Sequence, residues 1–189
     1  DRSPSRGLGD VYKRQVPHLL EYFSAIAAEP WAMLLDSAAS NHVNSRFDIV
    51  VARPVATLVY QQGQLIQTER GQPQLLQMDP FGALQHLIHD YFPDTPGLSD
   101  HADLPFIGGA LGYFAYDLGT VIEPVPQATD AGTLLPDMAV GIYLWALILD
   151  KQQQQLWYVD YRGNAAAHWT ENAALFNNTA DITPFELTT

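Results

Sequence analysis

The sequence predicts an α+β fold, built mainly of antiparallel β-sheets with flanking helices. Three observations lead there. Short β-branched and aromatic runs follow one another across turn-length gaps, as hairpins do, instead of alternating with helices. Apolar stripes at helical spacing are confined to three stretches, giving the order α, several β, α, several β, α. The chain has 189 residues, 47% of them hydrophobic, enough for one domain's core.

Residues 16–28 form the first expected helix, because Leu19, Phe23 and Ile26 share one stripe and Pro30 ends it. Residues 31–35 (WAMLL) read as a short buried strand, and 36–46 as a small-residue polar loop. Residues 47–52 (FDIVVA) are strand-like. Arg53 and Pro54 interrupt them and suggest an edge or bulge. Residues 55–60 and 64–69 flank Gln61, Gln62 and Gly63, a hairpin signal. Asp79 and Pro80 open a helix whose apolar face is Phe81, Leu84, Leu87, Ile88 and Tyr91. Residues 93–105 and 119–136 read as long loops around the glycine-punctured aromatic stretch 106–118. Residues 138–149 and 156–161 read as two strands joined around Lys151 and the glutamines. Residues 164–176 form the last helix, with Asn164 as its cap and Trp169, Ala173 and Phe176 inward.

Charge excludes several functions. Nine Lys and Arg stand against 21 Asp and Glu, a net charge of −12. That balance opposes non-specific binding of nucleic acid and of anionic membranes. Four of the nine positive charges lie in residues 1–15, which begin with Asp1 and differ in composition from the rest. They read as a non-native or disordered leader, with a flexible basic arm as the alternative, and leave 16–189 as the domain. Cysteine is absent, so there is neither a disulfide framework nor a thiolate metal site. The longest apolar run, 142–149, falls far below the roughly 20 residues of a spanning helix. The expected location is the cytoplasm.

Most short motifs have bland readings. Gly108, Gly109 and Gly112 suggest a phosphate loop, but no lysine lies between 14 and 150, so close backbone packing explains them better. His86, His89 and Asp90 could ligate a metal, yet they lie opposite the apolar stripe on a face expected to be solvated. Ser37, Ser40 and Ser45 near His42 lack the orienting third group of a nucleophilic triad. No residue is assigned as catalytic and none as a metal ligand.

The bracket formed by Leu35, Asp36 and Ser37 and by Ser45, Arg46 and Phe47 carries more. It closes a loop between two apolar runs. Arg46 is expected to pair with Asp36 or Asp48. The default reading is a structural ion pair. The functional reading is an amino-acid pocket, with Asp36 taking an ammonium, Ser37 and loop N–H groups a carboxylate, and Leu35 and Phe47 lining an apolar slot.

Four long motifs then stand in register. They are 30–37 (PWAMLLDS), 45–52 (SRFDIVVA), 104–119 (LPFIGGALGYFAYDLG) and 135–143 (LPDMAVGIY), the last followed by Trp145 to Ile148. Together they resemble the N-terminal region of component I of the aminodeoxychorismate and anthranilate synthases, over about residues 17–188. The wording is nearer the aminodeoxychorismate branch, with anthranilate synthase as the alternative.

The resemblance implies a protein that, with a glutamine amidotransferase subunit and Mg²⁺, converts chorismate and glutamine to 4-amino-4-deoxychorismate for p-aminobenzoate and folate. It implies two mainly antiparallel sheets with helices outside. The family's catalytic groups and Mg²⁺-binding glutamates belong to a chorismate-binding half that this chain does not reach. The chain alone is therefore expected to be inactive, completing the fold and helping dock the amidotransferase. The family also holds L-tryptophan between the sheets of this region. Its signature maps onto Leu35, Asp36 and Ser37 and onto Asn44, Ser45, Arg46 and Phe47, with Asn44 standing where an aromatic residue is often found. A rival of another class is a free-standing, non-catalytic amino-acid-binding module.

Overall fold

Every strand pairing in this computed structural model is antiparallel, so tight turns and excursions through helices suffice to connect the strands. The structure describes residues 19–38, 42, 45–93, 103–121, 123 and 135–177. The leader 1–15, the start of the expected first helix, Asn44 and most of both long loops lie outside them. The chain divides into two units. One comprises 1–53, 105–107 and 145–189, the other 54–104 and 108–144.

The first unit carries a four-stranded sheet. Its strands are β1 (Met33–Leu35), β2 (Phe47–Val51), β8 (Trp145–Asp150) and β9 (Gln155–Asp160), in the order β1-β2-β8-β9. Helices α1 (Leu19–Ile26) and α3 (Ala165–Ala173) belong to the same unit. Leu19, Ile26, Val50, Leu147 and Tyr158 make its core. Each fully buried aliphatic side chain contributes about 1.5–3 kcal/mol. Aromatic rings extend the core: Trp145 stacks on Tyr158 at 5.9 Å, and Trp169 lies 5.3 Å from Tyr158 and 5.8 Å from Phe176. The expected inward set of α3 is thereby partly realised, with Trp169 and Phe176 both packed on this core.

The second unit carries a five-stranded sheet. Its strands are β3 (Ala56–Gln61), β4 (Gln64–Glu69), β5 (Gln72–Leu76), β6 (Gly109–Phe114) and β7 (Met138–Tyr143), in the order β5-β4-β3-β7-β6. Helix α2 (Pro80–Tyr91) packs one face through Ala83 and Leu87 against Ala56, Leu58, Val140 and Ile142. Gln62 and Gly63 both have positive φ, 50° and 77°, the turn that matches hairpin twist. Arg70 and Gly71 repeat it at 49° and 75°. β6 and β7 approach closely because position 112 has no Cβ: one built there would lie 2.1 Å from the Ala139 carbonyl oxygen.

Five sequence expectations need correction. Residues 31–35 give a strand only at Met33–Leu35, because Trp31 has φ 58°, and this edge strand leaves Leu35 46% exposed. Residues 47–52 lie inside their sheet, not at an edge; Arg53 at φ 53° is where the chain leaves it. Residues 138–149 are two strands belonging to two sheets, parted at Leu144. Asn164 precedes α3 in a left-handed conformation, φ 54°, and its side chain makes no capping bond. The α2 stripe is rotated: Pro80, Ala83 and Leu87 are buried, whereas Phe81 and Ile88 are partly exposed. Phe81 instead stacks on Phe114 at 6.2 Å. β5 was not expected at all.

Candidate functional site

Strand register builds the bracket. Leu34 pairs with Val50 and Leu35 with Ile49, which sets the segment after β1 beside the start of β2. Phe47 pairs with Asp150 and Asp48 with Leu149, which adds the end of β8 to the same corner. Ser37, Asp48 and Lys151 therefore meet, and Arg46 meets Asp150.

Asp48 is the hub. Its carboxylate is 9% exposed, and three donors converge on Oδ1: the Ser37 backbone N–H at 2.9 Å, Ser37 Oγ at 2.7 Å and Lys151 Nζ at 3.0 Å. Lys151 Nζ also donates to Ser37 Oγ at 2.6 Å. Burial by itself would raise the Asp48 carboxyl; the Ser37 and Lys151 donors outweigh it and hold the group below its ordinary value. Among the described residues no donor reaches Oδ2. Lys151 is a donor toward the serine, so it is no base toward that hydroxyl, and Ser37 is not arranged as a nucleophile.

Arg46 donates to Asp150 Oδ2 through Nε at 3.0 Å and a terminal nitrogen at 2.7 Å. Asp150 Oδ1 accepts from the backbone N–H groups of Gln152 and Gln153, both at 3.0 Å. Burial raises this carboxyl too; Arg46 and those N–H groups prevail and hold it low. The Arg46 guanidinium lies 4.5 Å over the Phe47 ring. The expected pairing of Arg46 with Asp36 or Asp48 is thus corrected: the partner lies 104 positions along the chain.

The remaining expected site residues separate. Asp36 is exposed, and its Oδ1 accepts from the Ala38 N–H at 2.8 Å, a local turn. Leu35 sits at the exposed end of β1. Ser45 is buried, and its Oγ donates to the His42 carbonyl at 2.6 Å. Asp150 and Lys151 were missed by sequence reasoning. Their signal was faint: Lys151 is the one lysine after residue 13 and opens the glutamine turn.

A second buried network lies between β9 and α3. The Asp160 side chain is fully buried and accepts from Tyr158 at 3.1 Å and from Arg162 Nε at 2.9 Å; His168 Nδ1 lies 3.2 Å from its Oδ2 without a hydrogen bond. Asn172 donates to the Tyr158 hydroxyl at 2.8 Å. Burial pushes that phenol well up. This network ties helix to strand. Among the described residues no three His, Asp or Glu side chains converge to hold a metal ion, and His86, His89 and Asp90 are exposed.

Comparison with known proteins gives the class, a component I type synthase. The chain is 46% identical over 142 residues to aminodeoxychorismate synthase component 1 of Klebsiella aerogenes, covering 74% of this chain and 30% of that one. The Escherichia coli K12 protein of the same name is 42% identical over 152 residues, covering 80% and 33%. Anthranilate synthase component 1 of Lactococcus lactis is more distant, 28% over 130 residues. Among solved structures, anthranilate synthase component I of Streptococcus pneumoniae superposes with a TM-score of 0.55 at 26% identity, covering 71% of this chain and 30% of that one. No family model matches the chain. The chain belongs to the component I family of aminodeoxychorismate and anthranilate synthases; three aminodeoxychorismate members stand at 40–46% identity, while a fourth, from Streptomyces lividans, is 29% identical, level with the anthranilate synthases. It spans about a third of the length of those curated relatives.

Proposed function

We propose that this chain is the N-terminal region of an aminodeoxychorismate synthase component I. In the whole protein it would work with a glutamine amidotransferase to form 4-amino-4-deoxychorismate from chorismate and glutamine. The carrying observation is identity of 40–46% to three proteins of that name, against 28% to the first anthranilate synthase relative. The chain's own part is structural and ligand-binding. The chemistry, and any Mg²⁺ it needs, belong to the portion of the relatives' length not spanned here.

The bracket is the amino-acid site of this reading, with L-tryptophan as the ligand. The corner geometry supports moving the ammonium acceptor from Asp36, which is engaged with Ala38, to the open Oδ2 of Asp48. The Ser37 and Lys151 donors keep Asp48 ionised, and an ammonium on Oδ2 would make a charge-assisted hydrogen bond. Lys151, within 3.0 Å of the Asp48 carboxylate, supplies the positive charge for the ligand's carboxylate.

The test is a chimera in which this chain replaces the matching span of the Klebsiella aerogenes relative. Assayed with its amidotransferase, chorismate and glutamine, it should form aminodeoxychorismate and no anthranilate. The same exchange into the Lactococcus lactis anthranilate synthase component 1 should give little anthranilate; a chain that supports product only in that host belongs to the other branch, and two folded chimeras with neither product would defeat the reading.

A further inference from the structure

Two opposite charges stand side by side in the corner. Lys151 Nζ lies 3.0 Å from Asp48 Oδ1 and 2.6 Å from Ser37 Oγ. An ammonium has three protons to donate. Two go to Asp48 and Ser37, and among the described residues the third has no acceptor. The same is true of Asp48 Oδ2, which no described donor reaches. An α-amino acid carries the complementary pair, an ammonium and a carboxylate on one carbon. Set head to tail, its ammonium would meet Oδ2 and its carboxylate would meet Nζ, so that each charge neighbours its opposite. An amine lacking the carboxylate would bring a second ammonium beside Lys151 with nothing between them.

Lys151 reaches this place from the turn between β8 and β9, and several attachments fix that turn. Its backbone N–H donates to the Arg46 carbonyl at 2.8 Å, one step beyond the Phe47–Asp150 pair. Asp150 divides its carboxylate: Oδ1 accepts from the Gln152 and Gln153 N–H groups, and Oδ2 accepts from the Arg46 guanidinium. Gln154 closes the turn at φ 53°, with its side chain donating to the Lys151 carbonyl at 2.7 Å. A residue with a Cβ keeps that left-handed conformation only where surrounding bonds over-determine it. The Lys151 side chain is 24% exposed and the Asp150 side chain 2%, so a ligand can reach the lysine and not the aspartate. We propose that Lys151 makes the corner select α-amino acids over the corresponding amines, and that Asp150 and Arg46 are positioning residues that act on the ligand through Lys151. The inference rests on the amino-acid reading of the corner given above.

Titration of the chain with L-tryptophan and with tryptamine, which lacks the carboxylate, separates charge recognition from indole binding. L-tryptophan should bind at least about tenfold more tightly, the effect of one charge-assisted hydrogen bond. Lys151→Met should bring the two ligands within about twofold of each other. Asp150→Asn sets an amide N–H against Arg46 or against the turn and should do the same. Added to Lys151→Met, it should cause no further loss of preference. Lysine acylation reads the placement without a ligand, because Lys13 and Lys151 are the chain's two lysines. Normalised to Lys13, Lys151 should acylate at least about fivefold faster in Asp150→Asn than in the unaltered chain. Arg46→Gln, which removes the charge at the other end of the link, is the second variant should Asp150→Asn fail to fold. Equal binding of both ligands by the unaltered chain, or a preference kept in Lys151→Met, overturns the selection by Lys151. An unchanged acylation rate, or a loss that adds to that of Lys151→Met, overturns the positioning role. Each of these leaves the amino-acid reading standing. A folded chain that binds no L-tryptophan removes that reading and this inference with it.

Discussion

At the scale of residues, the corner between β1, β2 and β8 is held by two carboxylates that never meet water freely. The Asp150 side chain is 2% exposed and depends on Arg46 and two backbone N–H groups. Asp150→Ala leaves the guanidinium without its partner and should cost about 3 kcal/mol in urea unfolding, whereas Asp36→Ala should cost well under about 1 kcal/mol. Both Asp48 and Asp150 are held below their ordinary value of 3.8 in the folded chain. The unfolded chain therefore takes up protons first as pH falls. Their stabilisation is complete above pH about 5 and is lost as pH drops through 3.8 and then through the folded values. Urea midpoints at pH 7 and pH 3 should differ, and the double variant Asp48→Asn, Asp150→Asn should shrink that difference. The need of Arg46 for a carboxylate was legible in the sequence. Its choice was not, because the nearby acids Asp36 and Asp48 were taken by Ala38 and by Ser37 and Lys151.

At the scale of elements, local chemistry was most legible where it is self-contained. The α2 cap is an example: Asp79 accepts from the Gly82 N–H at 2.8 Å, and Pro80 occupies the first turn. Asp79→Ala should cost about 1 kcal/mol, seen as a lowered melting temperature. The β3–β4 hairpin was read from its Gln-Gly turn for the same reason. Elements set by tertiary context were missed. β5 contains Pro73 and two glutamines and forms only because the Arg70-Gly71 turn folds it back along β4. β7 and β8 read as one strand because both are nearly all buried, and continuous burial hides the point where the chain changes sheet. Gly112 marks the least forgiving contact. Gly112→Ala drives a Cβ into the Ala139 carbonyl, so it should unpair β6 from β7 and speed amide exchange across Gly109–Phe114 and Met138–Tyr143.

At the scale of the whole molecule, the α+β class and antiparallel pairing followed from hairpin spacing, while the division into two units with two sheets did not. The four long motifs fall across both units, so the resemblance was visible before the architecture was. The chain spans about a third of the length of its curated relatives. The isolated chain, supplied with chorismate, glutamine, Mg²⁺ and an amidotransferase, should form no aminodeoxychorismate above a blank. Among the described residues no helix is long and apolar enough to cross a membrane. Asp48, held in place by Ser37 and Lys151, is proposed to anchor an amino-acid ligand. Calorimetric titration of the purified chain with L-tryptophan, with L-phenylalanine as the control, tests it most directly. Saturable heat is expected for tryptophan alone, abolished in Asp48→Asn while the far-UV circular dichroism is unchanged. A flat tryptophan titration of a folded sample, or binding that survives Asp48→Asn undiminished, would contradict it.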